Sequence, residues 1–404
     1  MAAARALSVD EALALLLADA KPLASERVSI SEAHRRVLAE PLSARLTQPP
    51  FDASAMDGYA VRASDVATLP ARLKLIGESA AGHPFNRRVG AGEAVRIFTG
   101  APVPDGADAV VIQEDTARDG DTVIVQGDNV ELGNIRPRGG DFSTGMTLLD
   151  VGRRLGPREL SLAASMGHGE IAVWRRPKVA ILSTGDELVP PGETPGVGQI
   201  VSSNHLGIGA LVQSIGAEVI QLGIARDTQA SLIEHVERAK AADVLVTIGG
   251  ASVGDHDLVA PVLSQQGMEL AFWKIAMRPG KPLMSGRLGA LRVVGLPGNP
   301  VSSLVCARVF LVPLIEHLAG APRPADVTRP AKATVAIEAN GPRQHYMRAT
   351  LAPGTDGTPL VTPVRSQDSS LLSPLAIADC LVVRPPRAPA VAAGDIVPVL
   401  SLDL

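Results

Sequence analysis

The chain has 404 residues, more than a single hydrophobic core organises at roughly 250–300 residues, so several domains are expected. Hydrophobic residues make up 46% and charged residues 20%, and no uninterrupted apolar run reads as a membrane span, the longest being residues 12–18. A net charge of −4 and only 2% aromatic residues argue against a nucleic-acid surface, a base-stacking platform or an acidic-membrane surface. Cys306 and Cys380 are too few for a disulfide framework or a thiolate cluster and fit a reducing compartment. The Ala-rich start carries Arg5, but Asp10 and Glu11 interrupt it, so it reads as a helix of a cytoplasmic protein rather than as a targeting peptide.

In chain order, Ser8 and Glu11 have capping-box spacing, with Leu13, Leu16 and Leu17 following at helical intervals. A second helix is expected from about Ser31 to just before Pro41, and Pro49 and Pro50 mark a linker. Residues 51–145 change to short Val/Ile runs broken by Gly, Pro and Asp, with strands at 109–112 and 122–125, and read as a small β-rich domain. Helical material returns around residues 159–166. The β-rich part is therefore read as an insert in an N-terminal domain of residues 1–50 and 146–176.

Residues 177–325 alternate strand and helix: strands at 179–183, 218–222 and 244–248, with helices after Ser203, Asp227 and Asp255. Two more strands, at about 270–275 and 291–294, precede a last helix near Pro300. Such alternation implies parallel βαβ units and a doubly wound α/β domain. Beyond Pro322 and Pro324, alternating runs at 332–337, 346–351 and 380–384 predict a C-terminal β-barrel over residues 326–404, with the Pro/Ala stretch at 385–393 as a loop.

In an open parallel sheet, ligands bind beyond the carboxyl ends of the strands. Four post-strand loops draw attention: Ser183-Thr184-Gly185-Asp186-Glu187, the run from Gly249 and Gly250 through Ser252 to Asp257, Arg278-Pro279-Gly280-Lys281-Pro282, and Pro297-Gly298-Asn299-Pro300. Glycine-rich turns and helix starts bring N–H groups to an oxyanion, and nearby carboxylates call for a cation. Carboxylate oxygens beside phosphate suit Mg²⁺. Residue chemistry thus points to a Mg²⁺-assisted site for a phosphorylated ligand. The plainer alternative is that Asp186, Asp227 and Asp255 are helix N-caps, and that Arg278 or Lys281 is a solvated surface charge.

These loops, with Asp52-Ala53-Ser54-Ala55-Met56-Asp57-Gly58-Tyr59-Ala60 and Thr99-Gly100-Ala101-Pro102-Val103-Pro104, resemble the MoeA-type molybdopterin molybdenumtransferases, a family similar also to the C-terminal domain of gephyrin. The resemblance spans essentially the whole chain. It implies the four parts already read, a MogA-like α/β domain among them, and a homodimer whose active site combines the α/β domain of one subunit with N-terminal parts of the other. It further implies that molybdate is inserted into adenylylated molybdopterin with release of AMP, with Mg²⁺ as cofactor, and contacts with other proteins of molybdenum-cofactor synthesis.

By the same resemblance, Glu187, Asp227 and Asp257 are the catalytic carboxylates and Mg²⁺ ligands, joined by Asp57 and Asp141 from the N-terminal half and by the hydroxyl of Thr99. Ser183, Thr184, Gly185, Gly250 and Ser252 belong to the substrate cradle, and Arg278, Lys281 and the Pro297–Pro300 helix start offer charge and N–H donors to molybdate. Lys274 is assigned to a phosphate, Arg348 to a bidentate phosphate grip, and Ser369 to the substrate. One position departs from the pattern: Asp368 stands where Gly is expected. A molybdopterin adenylyltransferase uses the same α/β module and is the alternative reading, and a non-enzymatic scaffold is a third.

Overall fold

The computed structural model describes residues 6–127, 131–250, 258–321 and 327–403. Helix α1 (Val9–Leu17) begins with the capping box read from the sequence: Ser8 accepts the Glu11 N–H, and Glu11 returns a bond to the Ser8 N–H. Its buried face, Val9, Ala12, Leu13 and Leu16, packs into the main core. Strand β1 (Ser25–Ser29) follows.

The helix expected from Ser31 does not form. A single turn, Ile30–Glu32, gives way to an extended segment in which Val37 bridges Arg154 and Leu38 bridges Val173. Arg35 adopts φ 62° and breaks the helical run, while Val37 and Leu38 are buried, so tertiary burial overrides local propensity here.

After two short strands at Leu42–Ser43 and Ala53–Ser54, six strands, β2 (Gly58–Val61), β3 (Ala71–Ser79), β4 (Glu93–Ile97), β5 (Ala109–Ile112), β6 (Thr116–Asp119) and β7 (Thr122–Val125), make one sheet in the order β5-β2-β4-β3-β7-β6. Helix α2 (Pro157–Ser165) starts with Pro157 in its first turn and with Glu159 bonding back to the Gly156 N–H. Strand β8 (Glu170–Trp174) then returns antiparallel to β1, with Ser25 opposite Trp174.

The α/β region comprises β9 (Lys178–Thr184), α3 (Asn204–Ser214), β10 (Glu218–Ala225), α4 (Gln229–Ala239), β11 (Val244–Ile248), α5 (Val259–Gln265), β12 (Glu269–Trp273), β13 (Met284–Leu288), β14 (Leu291–Leu296), α6 (Pro300–Cys306) and α7 (Val312–Leu318). The sheet order is β10-β9-β11-β14-β13-β12. The first four run parallel, whereas β13 pairs antiparallel with both neighbours. Sequence reading missed β13, because Ser285, Gly286 and Arg287 interrupt its apolar pattern.

Alternation along β9 explains the two layers. Val179 and Ile181 face the cluster under α3, α6 and α7, whereas Ala180 and Leu182 face that under α4 and α5. Residues 300–318 run as one helix, with a π turn at Ala307–Leu311 between α6 and α7. By length and composition it could cross a membrane, but 83% of its apolar window is buried inside the protein, where it serves as the core helix of the α/β region.

Five strands, β15 (Arg329–Ala333), β16 (Gln344–Ala352), β17 (Leu360–Pro363), β18 (Cys380–Arg384) and β19 (Ile396–Ser401), close a barrel in the order β16-β17-β15-β19-β18-β16. Its interior holds Ala331, Ala349, Val361, Cys380, Val382, Val397 and Val399. The Met277–Arg278 pair adds to β16 opposite Gln344 and His345, which ties the cationic loop of the α/β region to the barrel.

Candidate active site

Strand β9 enters the sheet first, β10 pairs on one side of it and β11 on the other, so the chain reverses its direction of winding between β9 and β11. Such a crevice is where open α/β sheets bind ligands. A cavity of about 1220 Å³ lies there, lined among others by Ser183, Thr184, Gly185 and Glu187 after β9, Asp227 after β10, Gly249 and Gly250 after β11, and Pro297–Pro300 after β14.

The floor is tight for a stated reason. Gly249 has φ 92°, and a Cβ placed on it would lie 2.8 Å from the Thr184 carbonyl oxygen and 3.0 Å from its Oγ1, so a side chain there would meet backbone. The Thr184 hydroxyl donates to the Ile248 carbonyl at 3.4 Å. These contacts keep the ends of β9 and β11 together.

The two carboxylates behave differently from helix caps. Helix α4 is capped by Thr228, whose hydroxyl accepts the Ser231 N–H, so Asp227 is not the cap. Instead the Asp186 N–H donates to Asp227 Oδ2 at 3.3 Å and the Asp227 N–H donates to Asp186 Oδ1 at 3.2 Å. This reciprocal pair staples the loop after β9 to the loop after β10. Glu187 folds back over Gly185, whose hypothetical Cβ would sit 2.3 Å from Glu187 Oε2. Both Glu187 and Asp227 are exposed to the cavity.

Cations come from two regions. Arg278 and Lys281 line the cavity from the α/β side and Arg343 from the barrel, all exposed. The 278–282 loop is anchored behind by Cys306 on α6, whose thiol donates to the Gly280 carbonyl at 3.7 Å; burial raises that thiol far above its ordinary value, so it serves as packing. Next to Arg343, His345 is buried, and burial followed by Arg278, Arg343, Arg348 and Arg384 pushes its imidazole down to about 4. It is neutral at pH 7 and adds no charge of its own to that of the arginines.

Two expectations need correction. Arg348 does not face the cavity: it is 1% exposed, and its guanidinium donates to the carbonyls of Asp368 (2.9 Å) and Leu371 (3.1 Å). It holds the barrel loop that carries Ser369, so it is not free to grip a phosphate. The start of α6 offers fewer donors than expected, because Pro300 has no N–H and the Val301 N–H is taken by the Ser369 carbonyl at 3.1 Å. Lys274 lies off the cavity lining, its backbone engaged with Leu7 and Leu283.

Ser369 does line the cavity, bonded through its hydroxyl to Asn299 at 3.1 Å. Asp57, Thr99 and Asp141 do not line it. Asp57 and Thr99 do meet each other, since both the N–H and the hydroxyl of Thr99 donate to Asp57 Oδ1 at 2.8 Å. The backbone bond, then the hydroxyl, lowers the Asp57 carboxyl, with Arg96 adding a smaller charge effect. Ser252, Asp255 and Asp257 lie outside the described residues.

Sequence reading did not single out Asn204, Arg343 or Gln367. The Asn204 side chain donates to the Gly298 carbonyl at 2.7 Å and pins the β14–α6 turn. Gln367 accepts the Arg348 N–H and donates to the Arg348 and Val364 carbonyls. Asn204 follows Ser202 and Ser203 at a helix start, a legible signal; Arg343 and Gln367 reach the cavity only because the barrel docks there.

Comparison with known proteins covers the chain in three pieces. Residues 7–167 match the MoeA N-terminal region (domain I and II), residues 180–317 the probable molybdopterin binding domain, and residues 330–402 the MoeA C-terminal region (domain IV). A molybdopterin molybdenumtransferase of Haemophilus influenzae is 37% identical over 97% of both chains. One of Synechococcus elongatus is 35% identical over 98% of this chain and all of its own. Two solved structures of the MoeA protein of Pyrococcus horikoshii match with TM-scores of 0.82 and 0.81 at 31% and 28% identity, each pairing 98% of this chain with 99% of the other. Fold, closed barrel, cavity and full-length likeness agree, and the chain belongs to the MoeA-type molybdopterin molybdenumtransferase family.

Proposed function

We propose that this chain inserts molybdate into adenylylated molybdopterin in the cytoplasm, releasing AMP and yielding molybdenum cofactor. The observation that carries the reading is the composition of one cavity: the exposed carboxylates Glu187 and Asp227 share it with the cations Arg278, Lys281 and Arg343. A tetrahedral dianion needs cations and donors, and a phosphorylated substrate needs its charge neutralised. The volume exceeds that of ordinary small-molecule pockets, about 300–1,000 Å³, and suits a pterin joined to a nucleotide. Full-length relatives that are named molybdenumtransferases favour this reading over an adenylyltransferase or a scaffold.

Mg²⁺ fits the donor set. Among the described residues no three His, Cys, Asp or Glu side chains form a cage, but Mg²⁺ binds through one or two carboxylates together with phosphate oxygens and water, which Glu187 and Asp227 can supply. When bound, it supplies charge neutralisation at the phosphates. Asp257 is proposed to join this pair.

The second part of the proposal is a homodimer with a composite site. Asp57, Thr99 and Asp141 are off this chain's own cavity, and we assign them to the cavity of the partner subunit. The proposed division into residues 1–50 with 146–176, 51–145, 177–325 and 326–404 is supported by the separate apolar clusters of the inserted sheet, the N-terminal part and the barrel. Purified chain supplied with adenylylated molybdopterin and Mg²⁺ should release AMP only when molybdate is added; no molybdate-dependent release would overturn the reading.

A further inference from the structure

Ser183 and Ser202 both line the cavity while being 2% and 4% exposed as residues. They are joined: the Ser202 hydroxyl donates to Ser183 Oγ at 3.2 Å. Behind them, Ser202 Oγ lies 3.1 Å from Nδ1 of His205, in the first turn of α3. Three groups in a row therefore run from the wall of the α/β region to the cavity surface.

The direction of the row follows from proton counting. Ser202 has one hydroxyl proton, and it is committed to Ser183. The contact with His205 then forms only if Nδ1 carries hydrogen and donates. Ser183, already accepting, has its own proton left over, and among the described residues no protein group takes it. Burial lowers the His205 imidazole, so at neutral pH it is a neutral ring held in one tautomer.

We propose that His205 is a positioning residue: its Nδ1–H fixes the Ser202 and Ser183 hydroxyls in one direction, so that Ser183 presents an O–H donor to an acceptor oxygen of the bound substrate. The acceptor is a phosphate oxygen or the pterin carbonyl, groups of the same hydrogen-bonding chemistry. The inference rests on the proposed function for the identity of the substrate, but not for the direction of the row. In the other tautomer the ring becomes an acceptor and draws the Ser202 proton away from Ser183; with no ring at all, nothing holds Ser202 in its donating direction. Either way the Ser183 hydroxyl is no longer fixed towards the cavity.

Two measurements on the full-length chain test it. The first is the ¹⁵N spectrum of histidine-labelled protein, with the His205 signals assigned by their loss in His205→Asn. The Nδ1–H tautomer is expected, and the Nε2–H tautomer would overturn the proposal whatever the substrate is. The second is binding of AMP and of a phosphate-free pterin to wild type, His205→Leu and His205→Asn.

Leu should weaken one of the two probes about tenfold, the scale of one hydrogen bond to a charged or polar acceptor. Asn keeps an N–H donor and should restore binding to within about twofold. Weakened AMP identifies a phosphate acceptor and weakened pterin a ring carbonyl. Equal binding of both probes by Leu and wild type would overturn the proposal. Failure of wild type to bind either would instead count against the cofactor reading, with the tautomer still deciding the direction of the row.

Discussion

His345 shows how a single buried group is legible in the pH dependence of the whole chain. Its imidazole ionises near about 4 in the folded protein against an ordinary 6.5, so between these values the unfolded chain binds more protons than the folded one. Stability is then complete above about 6.5 and is lost as pH falls towards about 4. His345→Gln removes this contribution. Urea midpoints measured across that window should fall less steeply for the variant than for wild type, and parallel slopes would show that His345 is not the group concerned.

Asp57 offers a second residue-scale check. Both donors to its Oδ1 come from Thr99, and the backbone N–H is the larger cause of its lowered ionisation. Thr99→Val deletes only the hydroxyl. The Asp57 carboxyl, followed by ¹³C NMR, should therefore move part of the way back towards 3.8 and remain below it. Sequence reading nominated Asp57 and Thr99 together, but their contact depends on the turns after β4 and before β2 meeting, which no local pattern encodes.

At the scale of elements, the loops around the cavity are held by contacts that spacing alone does not reveal. The strands read at 244–248 and 179–183 were legible because short apolar runs containing Val, Ile and Leu lead into turns with glycine. Strand β13 was not, because Gly286 and Arg287 look like loop residues until the antiparallel pairing with β14 is seen. The family resemblance implies a phosphate grip for Arg348, yet burial converts it into a clamp on the 368–371 loop. Replacing it with Met leaves two carbonyls unpaired and should cost about 2–4 kcal/mol, measured by chemical denaturation.

Gly280 tests the anchoring of the cationic loop in the same way. It has φ 105°, and a Cβ there would lie 2.3 Å from the Cys306 sulfur. Gly280→Ala should lose roughly 1–3 kcal/mol from overpacking, with backbone strain in addition. Adding Cys306→Ala should return part of the loss and not all of it, because the strain at φ 105° remains. Full recovery, or none, would contradict this account of the loop.

At the scale of the molecule, the site is built from regions far apart in sequence. Within one chain, Ser369 and Arg343 of the barrel join Ser183, Glu187 and Asp227 of the α/β region around one cavity. The four-part reading of the sequence anticipated the α/β region and the barrel, since each repeats its own hydrophobic period. It did not anticipate that the barrel loop would cap the start of α6 through Ser369, because docking of two domains leaves no periodic trace. The acids of the N-terminal half stay away from this cavity, and the proposed dimer brings them to the partner's.

AMP release from adenylylated molybdopterin, measured with Asp57→Asn and Asp227→Asn chains singly and after mixing, tests the composite site most directly. Each variant alone carries two broken sites and should be inactive. Equal mixing makes about half of the dimers mixed, each with one intact site of two, so about a quarter of wild-type activity should return. No recovery in dimers shown to have exchanged subunits would contradict the account, because Asp57 and Asp227 would then serve the same chain or no common site.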